Sequence, residues 1–144
     1  MTPPKILLID DDRTLLDMYS LKFQLDGGCQ LLTAETPGRG IELAEQIHPS
    51  LILLDLVLPK SEKSIEELNQ ETGFQVLEML KKDPTTKSIP VIIFTNLDER
   101  NKDNVERAKK LGAMDYWVKA RWQPSEVVQM VKAIVSPDSK FVVK

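Results

Sequence analysis

The sequence predicts an α/β fold in which helices cover both faces of an open parallel sheet. Short apolar runs recur along the chain, and runs that are apolar on both faces are typical of strands buried in a parallel sheet. Between the runs, apolar residues recur at three- and four-residue steps, as in amphipathic helices. Strand and helix alternate five times, which favours right-handed crossovers within one sheet. The apolar runs occupy residues 6–9, 31–32, 51–54, 91–94 and 116–118.

Five helices are predicted between and after these strands. A glycine or proline follows each of the first four, at Gly27, Pro49, Pro84 and Gly112. Pro124 stands where a fifth helix can begin, because proline is well suited to the first helical position. The periodic apolar residues place the helices at about residues 14–25, 41–47, 76–80, 105–111 and 127–135.

One polar segment interrupts this alternation. Residues 60–72 carry four glutamates and separate the third strand from Gly73. We interpret the segment as an inserted loop with a helical turn near residues 64–69. Long connections of this kind are uncommon in compact domains and are often functional. The insertion is therefore expected either to be a solvated spacer or to shield a site or dock a partner.

The composition limits the classes of function. A chain of 144 residues has the size of one domain, and its formal net charge of -3 favours neither nucleic acid nor a membrane surface as a partner. Cys29 is the only cysteine and His48 the only histidine, which excludes an internal disulfide and argues against a histidine-centred triad. The sequence shows no signal-peptide pattern and no apolar run of membrane-spanning length. We expect a cytoplasmic protein.

Polar side chains follow four of the predicted strands, at the point where each strand ends. Ligands of an open parallel sheet bind outside the carboxyl ends of its strands, so these side chains are expected at one rim. Clustered carboxylates repel each other and need a cation, and their oxygens suit Mg²⁺. A carboxylate can accept a phosphoryl group, and lysine, threonine and Mg²⁺ can stabilise its oxygens. The residues are Asp10, Asp11 and Asp12, then Asp55, Thr95 and Lys119, although Asp12 also fits a helix cap.

Four motifs, in this order, resemble the receiver domains of two-component response regulators. They are residues 9–11 (IDD), 53–59 (LLDLVLP), 93–96 (IFTN) and 115–119 (DYWVK). The resemblance implies a flavodoxin-like (βα)5 three-layer sandwich with a parallel five-stranded sheet of order 2-1-3-4-5. It also implies a single receiver domain over residues 1–144, with a core at about 5–135, the insertion at 60–72 and a tail at 136–144.

The resemblance implies a role for each residue at the rim. Asp55 would accept the phosphoryl group from a sensor histidine kinase or a phosphotransfer protein. Lys119 would bind a phosphoryl oxygen, or Asp55 before phosphorylation. Mg²⁺ would be the cofactor. Such a protein is not an enzyme with a separate substrate, since it catalyses only its own phosphoryl transfer and slow autodephosphorylation. The metal ligands would be Asp10, Asp11, Asp55 and the backbone carbonyl of Val57, and the switch residues would be Thr95 and Tyr116.

The resemblance also bears on the output of the domain. No effector domain follows the fifth helix in this sequence, so signalling is expected to occur through contact with a downstream protein. The output surface of the family is formed by the fourth helix, the fifth strand and the fifth helix, and Trp117 and Trp122 lie near it. Exposed aromatic residues favour partner binding, whereas the alternative places both tryptophans beneath the fifth helix. A phosphorylation-dependent homodimer is also compatible with the family.

Three positions depart from the family pattern. Ala120 stands where the family usually has a proline, often in cis. A cis peptide bond before a residue other than proline costs roughly 2.5–4 kcal/mol. We therefore expect the bond before Ala120 either to be trans, with a rearranged loop, or to be strained. Val57 and Leu97 are apolar and lie two positions after Asp55 and Thr95. In the family, the residues at these positions tune the attack of water on the aspartyl phosphate. We expect them to exclude water and to lengthen the phosphorylated lifetime.

Three other interpretations are open at this point. A pseudo-receiver would bind a partner without being phosphorylated. Residues 10–14 (DDDRT) also fit haloacid-dehalogenase-like phosphatases, with Asp10 as nucleophile and Asp12 as acid/base, although no acidic pair ends a strand after Lys119. A flavodoxin-like cofactor binder shares the architecture, but aspartates replace the glycine-rich phosphate loop after the first strand.

Overall fold

The computed structural model describes residues 2–59, 68–98 and 102–136. Within these ranges the strands, in chain order, are β1 (Lys5–Ile9), β2 (Gln30–Ala34), β3 (Leu51–Leu54), β4 (Leu58–Pro59), β5 (Leu68–Asn69), β6 (Val91–Thr95) and β7 (Asp115–Val118). The α-helices are α1 (Arg13–Asp26), α2 (Pro37–Ile47), α3 (Gln70–Lys82), α4 (Lys102–Lys110) and α5 (Pro124–Val135). The main sheet is parallel and has the order β2-β1-β3-β6-β7, while β4 and β5 form a separate pair. Without that pair, this is the predicted 2-1-3-4-5 order.

The central strands bury alternate residues against helices on opposite faces of the sheet. On one face, Leu7 and Ile52 belong to a core cluster with residues of α2, α3 and α4. On the other face, Leu8 and Leu53 pack with residues of α1 and α5. Burial on both faces explains why these strands are continuously apolar in the sequence. The predicted three-layer fold is confirmed.

The helices α1 and α5 begin near the predicted positions because local capping signals are present. Asp12 Oδ1 accepts a hydrogen bond from Leu15 N at 3.2 Å and caps α1. Pro124 is the first residue of α5, and Gln123 N donates to Glu126 Oε1 at 2.8 Å in a capping box. Among the described residues, none of the helices combines the length and the apolar character required to cross a bilayer.

The insertion ends earlier than the sequence predicts. The helix α3 begins at Gln70, so the last residues of the predicted 60–72 loop are helical. The side chain of Asn69 accepts a hydrogen bond from Glu71 N at 2.9 Å and caps this helix. Asparagine is a strong helix cap, which accounts for the early start of α3.

The helical turn predicted near residues 64–69 is wrong for its last two residues. Leu68–Asn69 form β5, which pairs antiparallel with β4. Residues 60–67 lie outside the described ranges. The insertion is therefore closed at its base by a short two-stranded pairing.

The two tryptophans pack together instead of forming an open aromatic surface. Trp117 is 4% exposed and belongs to the core cluster shared with α1 and α5. Its ring stacks on that of Trp122, with centroids 4.4 Å apart. Trp122 is half-buried against the same cluster. The alternative that places both rings beneath α5 is therefore the one the structure supports.

Candidate metal and phosphoacceptor site

The strand ends of the main sheet border one open cavity of about 430 Å³. The strands are paired in register, with Ile9 opposite Leu54 and Thr95 opposite Val118. Parallel pairing therefore brings the residues that follow β1, β3 and β7 to the level of Thr95. The cavity is lined by Asp10, Asp11, Asp12, Asp55, Val57, Thr95, Asn96 and Lys119. These include every predicted site residue except Tyr116.

Three carboxylates form the acidic centre of this cavity. One oxygen from each of Asp10, Asp11 and Asp55 lies within 4.8 Å of the others. Asp10 is fully buried and Asp55 is 5% exposed. Burial, followed by the charge of Asp55, raises the pKa of Asp10 from 3.8 to about 6. Burial is also the main reason why the pKa of Asp11 is raised. The ionised cluster is therefore unfavourable without a compensating cation.

One ammonium group faces these carboxylates. Lys119 Nζ lies 3.1 Å from Asp55 Oδ2 and also forms an ion pair with Asp10 Oδ2. Burial alone would lower the pKa of Lys119, but the charges of Asp55 and Asp10 act against it and the pKa is raised overall. The amine therefore stays protonated and can bind an anionic oxygen.

The donor set fits a divalent cation. Three carboxylates face one ammonium, which leaves excess negative charge in a largely buried site. Asp10 Oδ1 accepts a hydrogen bond from Asp12 N at 2.9 Å, whereas Asp10 Oδ2 has its ion pair but no well-directed hydrogen bond from a described residue. Carboxylate oxygens are the ligands that Mg²⁺ prefers. Asp10, Asp11 and Asp55 could hold such an ion.

The loop after β7 shows how Lys119 is placed without a following proline. No cis peptide bond occurs in the described ranges, so the bond before Ala120 is trans. Lys119–Arg121 form a 3-10 turn, in which Trp122 N donates to Lys119 O at 3.2 Å. This is the rearranged loop that the alanine predicts. Lys119 still reaches Asp55, so the fold aims its side chain without the proline.

A second set of contacts connects the cavity to β7. Thr95 is fully buried, and its Oγ1 accepts a long hydrogen bond from Leu97 N at 3.4 Å. Tyr116 donates its O–H to Leu97 O at 3.0 Å and is 7% exposed. Burial, with a smaller contribution from the charge of Asp55, raises the pKa of Tyr116 to about 12. Tyr116 is therefore turned inward and is connected to Thr95 through the backbone of Leu97.

Two residues near Thr95 differ from the expectations drawn from the motifs. Asn96 lines the cavity although it was not among the predicted site residues, and its place directly after a strand end is the signal that could have found it. Leu97 packs against the core cluster on the face of α2, α3 and α4, and it is not among the residues that line the cavity. Of the two expected apolar shields, only Val57 borders the site.

Comparisons with known proteins decide the family. A family profile described as the response regulator receiver domain matches residues 6–132. The chain belongs to this family. The receiver is 41% identical over 116 residues to Protein PilH of Pseudomonas aeruginosa, a match that covers 80% of this chain and 84% of PilH.

Two further relatives show how far this similarity extends. The receiver is 33% identical over 132 residues to the DNA-binding dual master transcriptional regulator RpaA of Synechocystis, covering 92% of this chain but 49% of RpaA. A CheY-like response regulator receiver domain protein from Methanospirillum hungatei has a TM-score of 0.75 at 24% identity, covering 93% of this chain and 94% of that one. This chain therefore spans about half the length of RpaA, and the structural likeness concerns the fold.

Family membership gives the acidic cavity a general meaning. Receiver domains bind Mg²⁺ at an acidic pocket, and this receiver carries the corresponding aspartate cluster. They serve phosphorylation-dependent signalling in two-component systems and are not conventional enzymes. The phosphatase alternative, in which Asp10 is the nucleophile and Asp12 the acid/base, is displaced by the family match. The cofactor-binder alternative is likewise displaced by the family match.

Proposed function

We propose that this receiver is a phosphorylation-dependent switch whose acceptor is Asp55. The observation that carries the proposal is the environment of its carboxylate, inside an open cavity. One oxygen lies within 4.8 Å of oxygens of Asp10 and Asp11, and Oδ2 lies 3.1 Å from Lys119 Nζ. The donor would be a phosphohistidine on a sensor histidine kinase or a phosphotransfer protein.

Phosphoryl transfer requires little of the protein beyond positioning and charge compensation. A carboxylate oxygen of Asp55 attacks the phosphorus, so that an O–P bond forms while the P–N bond to the donor histidine breaks. The departing imidazole keeps the electron pair of that bond and takes up a proton. Lys119 Nζ stabilises an oxygen of the transferred group. Asp10, Asp11, Asp55 and the carbonyl of Val57 would hold Mg²⁺, which would supply further positive charge to the site when bound.

The switch would operate through Thr95 and Tyr116. When the hydroxyl of Thr95 turns to a phosphoryl oxygen, its present contact with Leu97 N, 3.4 Å long, is altered. Tyr116 holds the carbonyl of the same residue at 3.0 Å. A change at Thr95 is therefore transmitted to Tyr116 of β7 through the backbone of a single residue, Leu97.

The signal would then pass to a downstream protein by direct contact, with phosphorylation-dependent homodimerisation as a second route. Neither nucleic acid nor a membrane is proposed as a direct partner, in keeping with the formal net charge of -3. A cytoplasmic location is proposed because the phosphohistidine donors of two-component systems must reach Asp55.

Intact-mass measurement after incubation with acetyl phosphate and Mg²⁺ tests this function. The wild type is expected to gain one phosphoryl group, and Asp55→Asn is expected to gain none. Asp17→Asn is the matched control, since Asp17 is an exposed aspartate on α1 and should leave labelling unchanged. A folded wild type that takes up no phosphate would favour a pseudo-receiver, and turnover of the phosphate donor without Asp55 would favour a phosphatase.

A further inference from the structure

The first turn of α3 lies directly against the backbone that follows Asp55. Gly73 N donates a hydrogen bond to Leu56 O at 2.9 Å. A Cβ at Gly73 would lie 2.2 Å from Leu56 Cα and 2.6 Å from Asp55 O. Both distances are far below any normal contact, and main-chain atoms cannot turn aside as a flexible side chain can. Any side chain at Gly73 must therefore displace the backbone of residues 55–57, the acceptor loop.

The contact matters because this short loop carries two of the groups assigned to the metal and the phosphoryl transfer. Asp55 supplies the acceptor carboxylate, and its Oδ1 accepts a hydrogen bond from Val57 N at 3.3 Å. The carbonyl of Val57 is the backbone ligand in the proposed metal site. Leu56, between them, is fully buried. A shift of the loop would therefore move the acceptor and a metal ligand together.

Other residues of this helical turn contact α4. Arg107 of α4 donates to both carboxylate oxygens of Glu71, at 2.6 and 2.7 Å. Its guanidinium also lies over the ring of Phe74, 4.1 Å from the centroid. Phe74 is fully buried. The first turn of α3 therefore contacts both α4 and the acceptor loop, and the buried ring of Phe74 restrains its movement away from a larger residue.

We propose that Gly73 is a positioning residue for phosphorylation: its missing side chain lets α3 pack on the acceptor loop and set the place of Asp55 and Val57. The inference rests on the function proposed above. In this proposal α3 determines where the groups of the site lie, although no side chain of α3 lines the described cavity.

Gly40 offers a matched comparison within the same fold. Like Gly73, it is the fourth residue of its helix, it is buried, and its N–H donates a backbone hydrogen bond, here to Thr36 O at 3.0 Å. A Cβ at Gly40 would lie 2.6 Å from Ile9 Cδ1, the end of a side chain rather than backbone. Gly40→Ala therefore adds the same methyl group at an equivalent helical position without touching the acceptor loop.

The experiment compares Mg²⁺ affinity, measured by calorimetry, and the rate of labelling by acetyl phosphate in the wild type, Gly73→Ala and Gly40→Ala. Gly73→Ala is expected to lower the labelling rate by about tenfold or more, because misplacing reacting groups by about 1 Å can cost ~100-fold. It is also expected to lower the Mg²⁺ affinity, because Asp55 and the Val57 carbonyl are displaced together. Gly40→Ala is expected to lose thermal stability while the folded protein keeps both properties. A folded Gly73→Ala with wild-type affinity and rate would overturn the proposal, as would equal losses in Gly40→Ala.

A measurement on the wild type covers the case in which Gly73→Ala does not fold. Mg²⁺ is expected to slow hydrogen exchange of the Gly73 amide, which is bonded to the acceptor loop, while leaving the Gly40 amide unchanged. Equal effects on both amides would contradict the proposal. If instead the wild type neither binds Mg²⁺ nor takes up phosphate, the proposed function fails. The amide resonances of residues 55–57 in a folded Gly73→Ala then test the positioning role alone: displaced resonances would support it, and unchanged ones would overturn it.

Discussion

Replacing Asp10 by asparagine removes one of three crowded carboxylates while keeping the size of the side chain. Burial and the charge of Asp55 raise the pKa of Asp10 from 3.8 to about 6, and this value already includes the opposing effect of Lys119. A folded-state pKa above the ordinary value means that the ionised group destabilises the fold. The rise corresponds to about 3 kcal/mol. We therefore expect the metal-free Asp10→Asn protein to unfold with a free energy up to ~3 kcal/mol larger at neutral pH.

The pH dependence follows from the same pKa. Below pH 3.8 Asp10 is protonated in both the folded and unfolded states and has no effect; between 3.8 and about 6 it is protonated mainly in the folded state. The destabilisation therefore develops as pH rises through this window and is complete above about 6. Urea unfolding with a chelator, at a series of pH values, measures the difference between wild type and variant. A difference that is absent at neutral pH, or that persists unchanged in acid, would refute the reasoning.

Magnesium should offset this difference in stability. A ligand at 100 times its Kd stabilises the folded state by about 2.7 kcal/mol, and Asp10→Asn removes one of the oxygen ligands proposed for the ion. Mg²⁺ is therefore expected to raise the unfolding midpoint of the wild type and of the control Asp17→Asn, but to raise that of Asp10→Asn much less. Equal stabilisation of all three proteins by Mg²⁺ would show that Asp10 is not a ligand of the metal.

Three further substitutions test the apolar shield and the hydrogen bond of Tyr116. Val57→Asn is expected to speed phosphate loss from the labelled protein by about tenfold, because a polar group then borders the cavity. This corresponds to a hydrolysis barrier lower by ~1.4 kcal/mol. Intact mass followed over time measures the rate. Leu97→Asn should change this rate less, since Leu97 packs against the core, and equal acceleration by both would contradict this difference. Tyr116→Phe removes the 3.0 Å hydrogen bond to Leu97 O and should lower the free energy of unfolding by about 1 kcal/mol. Unchanged urea unfolding would show that this bond contributes nothing.

The sequence by itself determined the layered fold and the residues at its rim. Strands buried on both faces must be apolar throughout, so β1, β3 and β6 were visible as runs of four apolar residues. The polar residue that ends each run is local information as well, which is why Asp10, Asp55, Thr95 and Lys119 could be named without coordinates. The start of α3 at Gln70 was missed because the cap at Asn69 lies inside a polar segment with no periodic apolar pattern.

Only the tertiary structure decided which of these groups meet. The register of β1, β3, β6 and β7 brings Lys119 to within 3.1 Å of Asp55, although 64 residues separate them and Ala120 replaces the expected proline. The contact of Gly73 with the acceptor loop, and the distance of Leu97 from the cavity, likewise depend on how α3 and α4 pack on the sheet. Local patterns record which face of an element is apolar, whereas these distances are set by the packing of elements that are remote in sequence.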